Sequence, residues 1–290
     1  MPAYCAPIRL LLAFVTLAVC SALRATTEDE RLLNLSTRAH VGSGANALIA
    51  GFLIGEGPPK QVLIRAIGPS LATFGVPGVI ENPRLQLFDA QGRQLLENDD
   101  WTTALPGQRA TQADFGAVGA FPLSTGRDAS VLVSLAPGAD TVRVSGADDR
   151  GGVALVEVYD VSGEARLLNL STRAAIGQGS QIAISGLSVA QGAEKRRMLI
   201  RAMGPSLIPF GVTDALADPE LTVVDSLGRV LAKNDDWNAN DAGATVAMSS
   251  LVSGAFAFSS PSSKDAATVV DLPPGGYSIL IGGAAGTEGV

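Results

Sequence analysis

The chain has 290 residues and a formal net charge of −7, from 21 Lys and Arg against 28 Asp and Glu. Such an acidic chain lacks the positive surface that neutralises phosphate backbones, which argues against a nucleic-acid binder. Hydrophobic residues make up 47% and aromatic residues 5%, with 33 Gly and 16 Pro, a mixture typical of short strands joined by tight turns. We therefore expect an all-β protein without long helices.

The first 25 residues predict a cleaved secretory signal peptide. An arginine supplies the positive end, residues 10–20 form an apolar run too short to span a bilayer, and small residues follow. Cleavage after Ala22 and cleavage after Ala25 both remain open. A lipoprotein signal ending at Cys20 is the weaker alternative, because bulky Val19 stands where such signals carry a small residue.

Both cysteines of the chain, Cys5 and Cys20, lie in this leader. The mature protein would therefore hold no thiol, no disulfide and no cysteine metal site. We expect it to be secreted, extracellular or at the cell surface, with no membrane span after cleavage.

The mature chain begins with RLLNLSTRA at residues 31–39, where the alternation of side chains predicts a strand. The same nine letters recur at residues 166–174. Further strands are predicted at residues 47–54 and 61–67. A Gly-Pro pair ends the second of these, since Pro has no amide to donate to a sheet.

A hairpin is predicted next, with residues 85–88 leading into a turn from Asp89 to Gly92. Asp at the first and Gly at the fourth position is the preference of a type I turn. Valine-rich strands are then expected at residues 130–135, 141–145 and 153–159.

The chain is an internal duplication, because residues 64–101 return as residues 200–237 with 20 identities in 38 positions. We predict two tandem antiparallel β-sandwich modules, jelly-roll-like and of seven or eight strands each. The first covers residues 26–165 and the second residues 166–290.

The second repeat stops early. Val290 corresponds to Val153, and the counterpart of residues 154–160, ALVEVYD, is absent. A sandwich without its last strand exposes an unpaired sheet edge, a liability that proteins usually avoid. We therefore expect the second module to lack its last strand and the sequence to be truncated, with further domains of the same chain beyond it.

An Asn-Asp-Asp triplet that ends a strand in both repeats is the sharpest functional candidate. The triplets are Asn98, Asp99, Asp100 and Asn234, Asp235, Asp236. With backbone carbonyls or a carboxylate such as Asp128 or Asp265, they offer part of the six to eight oxygens that Ca²⁺ takes. In the alternative, the side chains form Asx-type turns with their own backbone, since the spacing lacks the regular series of an EF-hand loop.

Trp101 and Trp237 follow these triplets and are the only tryptophans of the chain. An exposed ring would serve as a platform for a sugar, whereas a buried ring would be a core plug beside a turn.

We predict no catalytic residues. His40 is the only histidine, and Ser70 and Ser206, in the motif GPSL, lack the flanking glycines of a nucleophile elbow. Arg65 and Arg201 stand in apolar strands, where we expect them to face solvent or to pair with an acidic residue.

Two families of secreted modules share motifs with this chain. Residues 85–100 (L-x-L-F-D-x-x-G-x-x-L-x-x-N-D-D) and residues 128–138 (D-A, then L-x-P-G) resemble the pre-peptidase C-terminal type of β-sandwich. The motifs RLxNLSxR and IRAxGPSLxxFGV resemble repeated modules of large surface or secreted proteins of environmental bacteria. The resemblance implies a secreted β-sandwich without catalytic residues and with a calcium-stabilised turn.

These observations together predict a non-catalytic structural, adhesion or accessory module of a secreted or cell-surface bacterial protein. Its partner would be a glycan or a surface protein. The alternative is a carbohydrate-binding module that accompanies a secreted hydrolase. Exposed tryptophans in a groove would favour that alternative, and buried ones would count against it.

Overall fold

The computed structural model describes residues 32–42, 46–190, 195–239 and 242–290. The predicted signal peptide, with Cys5 and Cys20, lies outside the described residues. Those residues form fifteen β-strands and two short α-helices. The strands are β1 (Leu32–Val41), β2 (Leu48–Ile54), β3 (Lys60–Ile67), β4 (Pro83–Phe88), β5 (Gln94–Asn98), β6 (Ala129–Leu135), β7 (Gly138–Gly146), β8 (Gly152–Ser162), β9 (Leu167–Arg173), β10 (Ala183–Val189), β11 (Arg196–Ala202), β12 (Pro219–Asp225), β13 (Val230–Asn234), β14 (Ala266–Leu272) and β15 (Gly275–Gly283). The helices are α1 (Gln112–Ala117) and α2 (Gly243–Val252).

The strand pairs are antiparallel, which confirms the predicted all-β antiparallel class. The predicted hairpin is confirmed as β4 and β5. Its turn is closed by the Gly92 amide, which donates to the Asp89 carbonyl at 2.9 Å. Within the described ranges, no helix combines the length and the apolar character needed to cross a bilayer.

Three sheets organise the described strands. The eight-stranded sheet has the order β13-β12-β15-β10-β1-β8-β3-β6, and the five-stranded sheet has the order β5-β4-β7-β2-β9. The third sheet contains β11 and β14. Two of these sheets mix the repeats: β1 of the first repeat lies beside β10 of the second, and β9 of the second repeat lies beside β2 of the first.

The two repeats exchange their first strands reciprocally and in one register. Ser36 of β1 lies opposite Gly186 of β10, and Ser171 of β9 lies opposite Gly51 of β2. A Cβ atom on Gly186 would stand 2.6 Å from Ser36 Oγ, and one on Gly51 would stand 2.8 Å from Ser171 Oγ. Each glycine therefore leaves room for the serine of the strand that the other repeat supplies.

The two first strands meet at residues that the duplication makes equivalent. The hydroxyls of Thr37 and Thr172 are hydrogen-bonded at 2.9 Å, and His40 forms a β-bridge with Ala175. Thr37 is fully buried and also bonds to Ser185 at 2.9 Å. The repeats are thus related by an approximate two-fold axis that passes between β1 and β9.

The hydrophobic core has two main parts. In the larger part, β3, β6 and β8 of the eight-stranded sheet face β2, β4 and β7 of the five-stranded sheet. In the smaller part, β10, β12 and β15 of the eight-stranded sheet face β11 and β14. Strand β1 contributes Ala39 and Val41 to the larger part and Leu32 and Leu35 to the smaller, so it joins the two.

The prediction of two separate modules is not confirmed. Each repeat places its first strand beside the second strand of the other repeat, and one sheet runs through both halves of the core. The boundary between residues 165 and 166 marks the sequence repeat. As a boundary between independent domains it stays a prediction.

Candidate functional site

A buried carboxylate holds the GPSL loop of the first repeat. Asp128 Oδ1 accepts hydrogen bonds from the amides of Gly68 and Ser70 at 2.9 and 3.3 Å. Its other oxygen accepts from the Ser70 hydroxyl. The Ser70 Oγ atom in turn accepts from the Ser124 amide at 2.8 Å, so this hydroxyl is used for both donation and acceptance. Ser70 and Asp128 are fully buried.

The second repeat builds the same arrangement with the equivalent residues. Asp265 accepts from the amides of Gly204 and Ser206 at 2.8 and 3.2 Å and from the Ser206 hydroxyl. The Ser259 amide donates to Ser206 Oγ at 2.7 Å. Asp128 and Asp265 were considered above as further calcium ligands. Their carboxylate oxygens instead accept hydrogen bonds from the GPSL loop of their own repeat.

The Asn-Asp-Asp triplets lie at the ends of β5 and β13, as predicted. Asn98 Oδ1 accepts from the Ser130 amide at 3.0 Å, and its Nδ2 donates to the Asp100 carbonyl at 2.9 Å. Asn98 is buried, whereas Asp99 and Asp100 are half-buried. The asparagine thus ties β5 to β6 and turns the chain after it.

Repeat two keeps this geometry. Asn234 accepts from the Ala267 amide at 2.8 Å and donates to the Asp236 carbonyl at 2.9 Å, and Asp236 pairs with Lys264 at 2.9 Å. Asp235 is exposed. In the part of the chain that the structure describes, no three His, Cys, Asp or Glu side chains are grouped as a metal site requires. Calcium binding stays a prediction.

The two tryptophans pack on phenylalanines. Trp237 is 8% exposed and stacks on Phe258 with ring centroids 4.1 Å apart, and its N–H donates to Ser263 at 3.1 Å. Trp101 is half-buried, meets Phe115 edge-on at 5.5 Å and donates to a backbone carbonyl at 2.7 Å. Both rings thus pack against aromatic side chains of the same chain, as tryptophans at the edge of a core do, and this packing offers no support for a sugar platform.

Arg65 pairs with an acidic residue, one of the two alternatives predicted for it. It lies on β3 and is fully buried, and its Nε is 3.2 Å from an oxygen of Glu157, the residue opposite it on β8. The guanidinium lies over the rings of Phe115 and Phe121, at 4.7 and 4.5 Å, and donates to the Phe121 carbonyl at 2.9 Å. Burial raises the pKa of Glu157, and the charge of Arg65 opposes that rise.

Arg201 is the counterpart of Arg65 in repeat two, but its charge is not paired in the same way. It lies over Phe256 and Phe258, at 4.6 Å from each ring, and donates to the Phe256 carbonyl at 2.7 Å. Burial lowers the pKa of Arg201, and the more distant charge of Asp265 opposes that change. Its Nε atom, like Nε of Arg65, is buried without a hydrogen-bond partner among the described residues, but Arg65 Nε has an oxygen of Glu157 within 3.2 Å.

Sequence reasoning missed the acidic half of this cluster, which lies on β8. Besides Glu157, this strand supplies Tyr159, whose hydroxyl donates to Glu157 at 3.0 Å, and Asp160, which pairs with buried Lys60 at 2.6 Å. A signal was present, because β3 and β8 both carry charged residues within otherwise apolar runs. The partnership becomes visible only when the two strands are known to be neighbours.

Comparisons with known proteins do not assign the chain to a family. No family model matches the chain, and no curated protein matches it. Among solved structures, a pilus 2b backbone protein of group B streptococcus matches at 10% identity, covering 87% of this chain and 80% of that chain, with a TM-score of 0.16. A likeness of that size carries no argument about function.

Proposed function

We propose that the protein is a non-catalytic extracellular scaffold, a structural or adhesive module of a secreted or cell-surface bacterial protein. One observation carries the proposal. The polar residues that recur in both repeats bind the protein's own backbone or its own side chains, as Ser70 with Asp128 and Asn98 with Ser130 show. The duplication thus maintains residues that hold loops and strand ends.

The shared sheets support the same function. A protein outside the cell must resist unfolding and proteolysis, and its durability is often set by the barrier to unfolding. Here the first strand of each repeat is held by the other repeat, so neither can detach without breaking sheet pairing in both. The predicted leader and the resemblance to bacterial surface repeats are further support.

Export of the full chain tests the proposal. An epitope placed in the exposed turn Asp89–Gly92 allows the chain to be followed in a bacterial host, in cell fractions and by protease treatment of intact cells. We expect a product that has lost its first 22 or 25 residues, measured by mass, and that lies outside the cytoplasm. The variant Val15→Asp, which breaks the apolar run of the leader, is the matched control and should stay inside with the leader intact. A full-length chain that remains in the cytoplasm would contradict the proposal.

The carbohydrate-binding alternative is tested by a glycan array on the same exported chain. From the packing of Trp101 and Trp237 we expect no saturable binding. Sugar binding that disappears in Trp101→Ala, in a chain that still folds, would replace the scaffold proposal with that alternative.

A further inference from the structure

A pocket in the second repeat lies between helix α2 and the loop that leads to β14. It has a volume of about 250 Å³. Its lining consists of uncharged residues within the range 237–261, among them Trp237, Ser250 and Phe258. Leu251, which also lines the pocket, is 76% exposed, so the pocket is open to solvent beside this side chain.

The first repeat has a larger side chain at the position of Ser250. Backbone bonds establish the correspondence, since the Ala120 amide donates to the Phe115 carbonyl at 2.9 Å and the Ala255 amide donates to the Ser250 carbonyl at 3.0 Å. Phe115 is fully buried. A buried aromatic ring on α1 is thus replaced by a small hydroxyl side chain on α2.

A second side chain is shortened on the same face of the helix, three residues earlier. Gln112 of α1 donates from its Nε2 to the Leu123 carbonyl at 2.9 Å, which ties the helix to the loop. Its counterpart Ala247 has no side-chain amide and lines the pocket. The two short side chains, Ala247 and Ser250, therefore leave open the space between helix and loop.

An aromatic pair forms one wall of this space. Phe258, which stands at the position of Leu123, stacks on Trp237 with the ring centroids 4.1 Å apart, and both line the pocket. Leu123 is 5% exposed, whereas Phe258 is half-buried. Apolar surface that is covered in the first repeat is thus accessible in the second.

The Ser250 hydroxyl has no partner in the part of the chain that the structure describes. Ser250 is 4% exposed, and its Oγ atom is buried without a hydrogen bond. A buried hydroxyl without a partner costs free energy, which a ligand with a hydrogen-bonding group would recover. Apolar walls with a few polar groups that fix orientation are typical of small-molecule sites.

The volume and the lining define the class of ligand. An apolar cavity of about 150 Å³ holds one benzene ring, so a pocket of about 250 Å³ holds one ring with small substituents. The lining carries no charge, and an unpaired charge is costly to bury. A neutral ligand therefore fits better than an ion.

We propose that the pocket between α2 and the loop before β14 binds a neutral phenol of one ring. The ring contacts Phe258 and Trp237, and the phenol hydroxyl forms a hydrogen bond with Ser250. This site does not depend on the scaffold function, because its lining residues are not those that hold the loops and strand ends of both repeats.

The test titrates the ¹⁵N-labelled full chain with p-cresol and follows it by NMR. The indole N–H signal of Trp237 should shift saturably, whereas the signal of Trp101, in the first repeat, should stay unchanged; Trp101→Phe assigns the two signals. Calorimetry should give one site. Benzoate, which has a similar size but carries a charge, should bind at least about tenfold more weakly.

Variants that restore the side chains of the first repeat place the binding in this pocket. Ser250→Phe combined with Phe258→Leu should abolish p-cresol binding. Ala247→Gln should weaken binding, because the longer side chain occupies the space between helix and loop, and it keeps the test valid if the double variant fails to fold. The matched control Met248→Gln changes an exposed residue of the same helix outside the lining and should leave binding unchanged.

Ser250→Ala separates the hydrogen bond from the shape of the pocket. This variant should bind p-cresol about fivefold more weakly, as expected for the loss of one hydrogen bond. Binding of toluene, which has no hydroxyl, should not fall.

Any of three results would overturn the proposal. The first is a folded chain in which p-cresol causes no saturable shift of the Trp237 signal. The second is p-cresol binding that persists in folded variants carrying the side chains of the first repeat. The third is equal affinity for p-cresol and benzoate, or an affinity for p-cresol that Ser250→Ala leaves unchanged.

Discussion

At the scale of single residues, the two buried carboxylates Asp128 and Asp265 have the clearest task. Each stands just before a strand, β6 or β14, and collects the amides and the hydroxyl of a GPSL loop. Removing such a carboxylate leaves several buried donors without an acceptor, and each unsatisfied buried group costs free energy. The repetition of this arrangement is therefore explained by stability.

Asp128→Ala should lower the free energy of unfolding by about 3 kcal/mol or more, because it leaves two buried amides and one buried hydroxyl without a hydrogen-bond acceptor. Urea unfolding followed by tryptophan fluorescence measures the change. Asp99→Ala is the matched control, since Asp99 is half-buried and accepts no such bonds from the described residues, and it should stay within about 0.5 kcal/mol of the unchanged chain. Equal effects of the two changes would contradict this role of Asp128.

Asp140 on β7 predicts a pH dependence. It is 7% exposed, and burial, together with the negative charge of Asp89, raises its pKa to about 6. The folded chain thus holds this proton more tightly than the unfolded chain. The stability contributed by Asp140 is present below about pH 4 and is lost as the pH rises through about 6, with a slope of at most about 1.4 kcal/mol per pH unit.

Asp140→Asn should remove this part of the pH profile and make the protein more stable at pH 7 than the unchanged chain. Unfolding free energies measured at half-unit steps from pH 4 to pH 7.5 provide the comparison. Asp148→Asn, a change at an exposed aspartate, should keep the original slope. The idea fails if Asp140→Asn retains that slope.

At the scale of elements, one nine-residue sequence forms two strands with different surroundings. RLLNLSTRA supplies β1, which has a partner on both sides, and β9, which pairs only with β2 among the described strands. Their burial differs accordingly: Thr37 of β1 is fully buried, whereas Thr172 of β9 is half-buried. The difference comes from β8, which covers only the first copy.

Engineered disulfides report which strands are neighbours. In a chain with Cys5 and Cys20 replaced by Ser, the pair Ser36→Cys with Gly186→Cys should form an intramolecular disulfide, because these residues lie opposite each other. The reciprocal pair Ser171→Cys with Gly51→Cys should do the same. Mass spectrometry of peptides from the oxidised protein detects the links.

The control for these disulfides pairs residues within one repeat. Ser36→Cys with Gly51→Cys should remain reduced, since the structure places Gly51 opposite Ser171. Efficient cross-linking of the control pair and none of the exchanged pairs would mean that each repeat closes on itself.

Most strands, the hairpin turn and the duplication could be predicted from the sequence, because alternation and turn residues are local signals. The strand exchange could not. Pairing within one repeat would place Ser36 opposite Gly51, and pairing between repeats places it opposite Gly186. Both bring a serine opposite a glycine, so the sequence pattern that normally selects a register does not distinguish the two pairings. The sequence indicated that Arg65 pairs with an acidic residue but did not identify Glu157, because that assignment requires knowing that β3 and β8 are neighbours.

At the scale of the whole molecule, the two repeats are arranged as subunits of a two-fold dimer would be. Each repeat gives one strand to the other through the same contacts, as in an isologous interface or a domain swap. The covalent link between the repeats makes this association intramolecular.

A chain limited to residues 26–165 should therefore associate into a dimer, with β1 of each copy beside β2 of the other. That fragment contains β8, so both sheets of the dimer would have eight strands. Light scattering coupled to gel filtration, over a hundredfold range of concentration, should show twice the mass of one fragment. The full chain is the control, and should keep the mass of one copy. A folded monomeric fragment at every concentration would contradict the exchange as a requirement for folding.

The strand exchange also sets an order of events in time. Thr37 and its partner Ser185 are 148 residues apart in the sequence. Contacts of such long range form slowly, and synthesis proceeds from the N-terminus at about 5–20 residues per second. Strand β1 is therefore made about 7 to 30 seconds before β10, and during that time one of its edges is open to wrong partners. Because the exchange is reciprocal, neither repeat can complete its sheets before both have been made.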